Sequence, residues 1–161
     1  MSVLPILRWP DPRLSQVCLP VVGDVSGLAA DMLDTLYDAL GRGLAAPQVG
    51  VLKRLFVMDA GWKSGAPDPL VCINPVILSR SATLAEGAEG CLSIPGPSTL
   101  VTRATQIRLA WTGLDEARHT SVLDGFAAIC AQHEIDHLDG ILTLDHLSPE
   151  ARAKAEAEAG Q

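Results

Sequence analysis

His133, Glu134 and His137 stand together in the stretch AICAQHEIDHLDG, residues 128–140. Residues four apart on a helix lie on one face, so the two imidazoles can aim a nitrogen at one cation roughly 2.0–2.1 Å away. Glu134, turned about 100° round the helix from His133, can reach a water beside that cation without being a ligand itself. A catalytic centre of this kind uses three protein ligands and keeps one position open, so a third ligand is needed. The protease extension HExxHxxGxxH is followed as far as Gly140, but its final histidine is replaced by Thr143. A glutamate from the tail (Glu150, Glu156 or Glu158) would come from a segment expected to be exposed, a poor platform for a rigid site. Cys130 shares the histidine face, but helical side chains lean toward the N-terminus, so its thiol is expected to point away and pack as a small apolar group. Cys91, 42 residues before His133 in the glycine-dense EGAEGCLSIPG, is a further candidate, where a thiolate would complete a His, His, Cys set; spacing alone leaves the third ligand open.

The chain that must position these groups has 161 residues, enough for one domain with its own core, and a single domain over 1–161 is expected. A formal charge of −7 argues against the clustered cations of a nucleic-acid footprint. The N-terminal MSVLPILRWPDPRLSQVCLP is interrupted by Pro5, Pro10 and Pro12, so neither a signal peptide nor a membrane span is expected, and a cytoplasmic location follows. Cys18, Cys72, Cys91 and Cys130 form no CxxC pair and read as free thiols.

After an irregular, proline-rich entry of about 25 residues, Leu28, Met32, Leu33, Leu36, Tyr37 and Leu40 recur at helical spacing, predicting a helix over 26–40 that stops at Gly41. Short β-prone runs follow at 54–59, 70–78, 99–104, 106–113 and 119–125, separated by turn formers in the manner of antiparallel hairpins. Helical spacing returns over 125–138, and Ser148 with Pro149 marks the start of a terminal helix in a tail, 148–161, expected to be exposed. The fold class is therefore α+β: antiparallel strands packed around a central helix that carries HExxH, with an early helix and a C-terminal one.

Three blocks, GRGLAAPQ (41–48), EGCLS (89–93) and QHEIDHLDG (132–140), resemble the motifs of the peptide deformylases, in the same order. Similarity extends through RWPDPRL near the start and VTRA after the second block, and so over most of the chain. The resemblance implies Cys91, His133 and His137 as metal ligands and Glu134 as the catalytic acid/base. It implies Gln48, with the backbone N–H of Leu92, as donors to the developing oxyanion, and Gly41, Arg42, Gly43 and Leu44 as the segment that binds substrate. Fe(II) is the usual metal of that family, with zinc, nickel or cobalt able to replace it.

The reaction implied is hydrolysis of the N-terminal formyl group of N-formylmethionyl nascent peptides. A bound cation makes hydroxide available near neutral pH, while Glu134 takes a proton and returns it to the leaving amine. By the same resemblance Glu89 is expected to hold its loop and Arg103 to pair with a carboxylate near the site. Asp136, His119 and His146 read as peripheral, and a monomer is expected. Arg42 departs from the family pattern, where an aliphatic residue is usual, and this leaves open a deformylase-like amidase with another N-acyl preference. A non-catalytic binder of peptide N-termini is the third reading. The tail sets Arg152 and Lys154 against Glu150, Glu156 and Glu158, so ribosome docking through a basic tail is not expected.

Overall fold

The computed structural model describes residues 2–159. Helix α1 (Ser26–Asp38) precedes strands β1 (Gly43–Ala45), β2 (Leu55–Met58), β3 (Leu70–Arg80), β4 (Leu84–Cys91), β5 (Ile94–Ala104), β6 (Gln106–Thr112) and β7 (Arg118–Asp124). Helices α2 (Gly125–Leu138) and α3 (Pro149–Ala159) complete the order. Five strands form one antiparallel sheet in the order β1-β2-β3-β6-β7, and β4 pairs with β5 in a separate hairpin. No helix among the described residues is long and apolar enough to cross a membrane.

Side chains alternate across a strand, and β2 uses both of its faces. Phe56 and Met58 point into a core with Leu109, Trp111, Ile135 and Leu138 beneath α2. Leu55 and Val57 point the other way, joining Met32 and Leu36 of α1. All four β2 side chains are buried, so the sheet is covered by a helix on each face at this end. β1 pairs only with β2, which leaves its outer edge unpaired within the sheet.

α2 is the element on which the site depends, and nine of its fourteen residues are buried, polar ones included. Gln132 ties it to the end of β5, accepting from Ala104 N–H at 3.3 Å and donating to Ala104 O at 2.9 Å. Its C-terminal end is closed by Ile141 N–H donating to Asp136 O, with Gly140 at φ +73°. A Cβ on Gly140 would lie 2.8 Å from the Ser15 carbonyl, so both conformation and space require glycine there.

The predicted elements form, with three differences. EGAEGC, expected as a loop, makes up all of strand β4 but its first two residues, and β5 begins at Ile94 rather than 99. The GRGLAAPQ block contains the short strand β1 before a 3-10 turn over Ala46–Val49. The tail helix is not wholly exposed: Ala155 packs with Leu14, Ile94, Leu142 and Leu144, because an Ala-rich face can lie flat on a neighbouring surface.

Candidate metal centre

Cys91 Sγ, at the end of β4, and the Nε2 atoms of His133 and His137, on α2, face one another. The sulfur lies 3.4 Å from His137 Nε2, and the two Nε2 atoms are 3.2 Å apart. The three donor atoms all lie within 4.8 Å of one another. Cys130 is buried and stands apart from this set, its thiol directed at Arg42 O at 3.7 Å, as its place on the helix predicts.

Hydrogen bonding selects the nitrogen each ring offers. His133 Nδ1 donates to Glu89 Oε1 at 3.0 Å, so when the ring is neutral its Nε2 carries the lone pair that faces the cluster. Burial, helped by the nearby His133 and Arg103 charges, drives His137 well below the ordinary imidazole range and keeps it neutral. His133 is opposed in the same way by burial, but Glu134, Cys91 and Glu89 raise its proton affinity well above the ordinary value. Two lone-pair nitrogens at this separation repel unless a proton or a cation stands between them. A thiolate and two imidazoles suit a borderline-soft divalent metal, so the donor set fits the cation implied by the sequence. Glu134 Oε1, on the wall of the same pocket, is buried without a protein partner, an open acceptor beside the three donors.

The carboxylate beneath His133 belongs to a larger chain of charge. Arg103 Nε and Nη2 donate to the two oxygens of Glu89 at 2.7 and 2.9 Å, and its Nη1 donates to Asp136 Oδ2 at 2.8 Å. Asp136 Oδ2 also meets His146 Nε2 at 2.9 Å. Burial pushes the Glu89 carboxyl upward, but the His133 and Arg103 contacts outweigh it and hold its pKa below the ordinary value. Arg103 therefore has the structural carboxylate partners expected of it. Glu89 does more than hold a loop, since it orients a ring of the cluster, and His146 is joined to the network through Asp136 rather than standing alone. His119 is likewise partnered, stacked on Trp111 and bonded to Asp115 at 2.9 Å, but far from these groups in sequence and function.

Glu134 is 3% exposed and packs so closely on Gly43 that a Cβ there would collide with its Oε2 and lie 2.6 Å from Cys130 Sγ. Burial raises its carboxyl to about 7, with His133 and Arg103 pulling it down and Glu89 and Asp136 pushing it up. Gln48 is also buried, and its amide orientation follows from its partners. Oε1 accepts from Ala45 N–H at 3.0 Å, which turns Nε2 toward Ser93 Oγ at 3.0 Å and Cys91 Sγ at 3.7 Å. Ser93 is the acceptor that sequence reasoning missed, although it lies inside the EGCLS block.

Gln48, Cys91, His133 and Glu134 line a cavity of about 490 Å³ between β1, β4 and α2, with Gly41, Arg42, Gly43 and Leu92 on its wall. Leu44, expected in the substrate segment, is not on that wall, because its side chain is fully buried with residues of α1 and β2. Trp62 Nε1 donates to Gly41 O at 2.8 Å, and Asp59 N–H donates to Arg42 O at 2.8 Å, so this wall is held from behind.

A family model described as polypeptide deformylase matches residues 3–153. The peptide deformylase of Alkalilimnicola ehrlichii is 51% identical over 151 residues, 92% of this chain and 84% of that protein. The one from Afipia carboxidovorans is 46% identical over 92% of this chain and 88% of its own. A crystal structure of a peptide deformylase from Legionella pneumophila superposes with a TM-score of 0.93 at 39% identity, covering 99% of this chain and 94% of that one. That of Ehrlichia chaffeensis in complex with actinonin gives 0.89 at 37% identity over 96% and 94%. With the match running through all three blocks that build the cleft, the chain belongs to the peptide deformylase family.

Proposed function

We propose that Cys91, His133 and His137 hold one divalent cation, Fe(II) in the native protein, and that Glu134 carries the proton when the chain hydrolyses the formyl group of an N-formylmethionyl polypeptide. The observation that carries this reading is the convergence of three donor atoms within 4.8 Å beside a buried carboxyl whose pKa stands near 7. A bound cation of this type supplies Lewis acidity and makes a strong oxygen nucleophile available near neutral pH. Zinc, nickel or cobalt suits the same donors.

The protein's own groups do the rest. An extended peptide lies along the free edge of β1, where backbone N–H and C=O groups can pair with it as with an added strand. Glycine at 43 lets that strand approach Glu134 closely. Burial lifts the Glu134 carboxyl in the metal-free protein and a neighbouring cation would draw it down again, so this carboxylate is placed to accept a proton from the attacking water and release it to the departing amine. As the formyl carbon becomes tetrahedral, charge gathers on its oxygen, and Gln48 Nε2, already aimed at Cys91, is a fixed donor for it. The backbone N–H of Leu92, next to Cys91, is the second donor. One catalytic domain spanning 1–161 suffices for these roles, with nascent formylated chains as its partners.

The test is formate release from formyl-Met-Ala-Ser by protein loaded anaerobically with Fe(II) or Ni(II). The wild type turns over, while Glu134→Gln keeps one bound metal and loses at least about a hundredfold in kcat. Gln48→Ala lowers kcat by about 10²–10³ with a smaller change in KM. Turnover by Glu134→Gln at the wild-type rate would overturn the role of that residue.

A further inference from the structure

Arg42, on the wall of the cleft, is a guanidinium that no carboxylate of the described residues neutralises. Its guanidinium carbon stands 4.7 Å above the centre of the Phe126 ring, and its Nε is buried without a hydrogen-bond partner. Stacking on a ring uses the face of the guanidinium and leaves its N–H edge for an acceptor. Arg42 O is held by Asp59 N–H and the Cys130 thiol, so the backbone beneath the side chain is fixed. Lys63 lines the same cavity, its ammonium 5.8 Å from the Trp62 ring, and it too forms no ion pair among the described residues.

The other charges of the cleft are already committed. Glu89 and Arg103 satisfy each other, and Glu134 is buried against Gly43. Only Glu86, exposed on β4, opposes the two free cations from across the cavity. The site therefore presents a local positive excess on a protein whose formal charge is −7. A cation that is held by an aromatic ring and carries an unsatisfied buried donor is preorganised for an anionic or strongly accepting group.

Its distance from the reacting centre sets which part of a substrate it meets. Phe126 precedes His133 by seven residues on α2, roughly 10 Å of helix. That is about three residues of extended chain at 3.3 Å each. Resting on the deformylase reading above, we propose that Arg42, assisted by Lys63, selects formylated peptides with a carboxylate side chain at the second or third residue. The bidentate N–H edge of Arg42 would take the carboxylate, while an ammonium in the same place would be repelled.

The experiment compares kcat/KM for formyl-Met-Ala-Ser with peptides bearing Asp or Lys at the second or third position. Wild type, Arg42→Met and Lys63→Gln, each loaded with Ni(II), are assayed at low and high salt. The expected result is an Asp-over-Lys ratio of about tenfold or more in the wild type, shrinking as salt screens the charge. Arg42→Met brings the ratio close to one, and Lys63→Gln reduces it by a smaller factor. The ratio is taken within each protein, so a uniform fall in activity from altered packing does not enter it. Cleavage of the neutral peptide with no charge preference overturns the inference alone, as does a full preference surviving in Arg42→Met. Failure to cleave the neutral peptide with any metal overturns the deformylase reading and the inference together.

Discussion

His133 Nδ1 lies 3.0 Å from Glu89 Oε1, and this contact decides which nitrogen the ring presents to the cleft. The same carboxylate is gripped by two N–H groups of Arg103, whose side chain is 5% exposed. Orientation of a ring of the candidate metal centre and neutralisation of a buried guanidinium thus rest on one residue of a strand that contributes little to the core.

Glu89→Ala should therefore do two kinds of damage. It leaves Arg103 with only Asp136, and breaking a buried pair from one side typically costs about 3–5 kcal/mol. It also frees the His133 ring to rotate or change tautomer, for which a loss of about 10–100-fold in metal affinity is the expected scale. Urea denaturation of the metal-stripped protein and a chelator competition read the two effects separately. Glu89→Gln, which can still accept from His133, should recover metal affinity more fully than stability.

Gly43→Ala tests the close approach of β1 to α2. The added methyl must displace the Glu134 carboxyl or the Cys130 thiol, both buried, so an overpacking cost of about 1–3 kcal/mol is expected. A displacement of Glu134 by about 1 Å should lower kcat by about a hundredfold. Gly27→Ala is the contrast, because nothing lies within 4 Å of its added methyl and it sits in α1. There the substitution should stabilise by about 0.5–1 kcal/mol and leave turnover intact.

α2 was legible to the residue, 125–138, because apolar and ligand positions share one helical period. The start of α1 at Ser26 followed from the same signal, but the helix ends at Asp38, two residues before the predicted Leu40. β4 was not, since a strand of Leu, Ala, Glu and Gly that is mostly exposed carries no alternating apolar face, and it is held by backbone pairing such as Gly87 with Val101. The His133–His137 pair was legible from its spacing, but the place of Cys91 beside it needed the family resemblance, because Cys91 comes next to the histidines through the pairing of β4 and β5. Ser93 stood inside a recognised block, but its partner was not legible, and the role of His146 had no sequence signal. Ser93 meets Gln48 across 45 residues, and His146 meets Asp136 only because the chain turns back at Gly140.

The raised Glu134 pKa makes a stability prediction for the metal-stripped protein. Burial moves the carboxyl from an ordinary 4.5 to about 7, so the folded state keeps a proton that the unfolded state releases between those values. The stabilisation is fully present below pH 4.5 and is lost as pH rises to 7, on the order of 3 kcal/mol in total. Denaturation of wild type and Glu134→Gln across that range isolates it. The wild type should lose stability relative to the variant as pH rises and then run parallel to it above 7. A constant difference from pH 4.5 to 7 would mean that this carboxyl is not buried as a neutral acid.

Cysteine accessibility gives a readout of the metal site that does not depend on turnover. Cys18, Cys72 and Cys130 are buried, and burial pushes each of their thiols up, so they are poorly reactive on both grounds. Cys91 alone is partly exposed, at the floor of an open cleft. Brief treatment of the native metal-stripped protein with iodoacetamide should therefore place one carbamidomethyl group, on Cys91, as peptide mass spectrometry would locate it. Loading with Ni(II) or Zn(II) ties up the sulfur lone pairs and should slow that modification by at least about tenfold. Modification of Cys91 at the same rate with and without metal would show that the thiolate is not a ligand, even if formate release were metal-dependent.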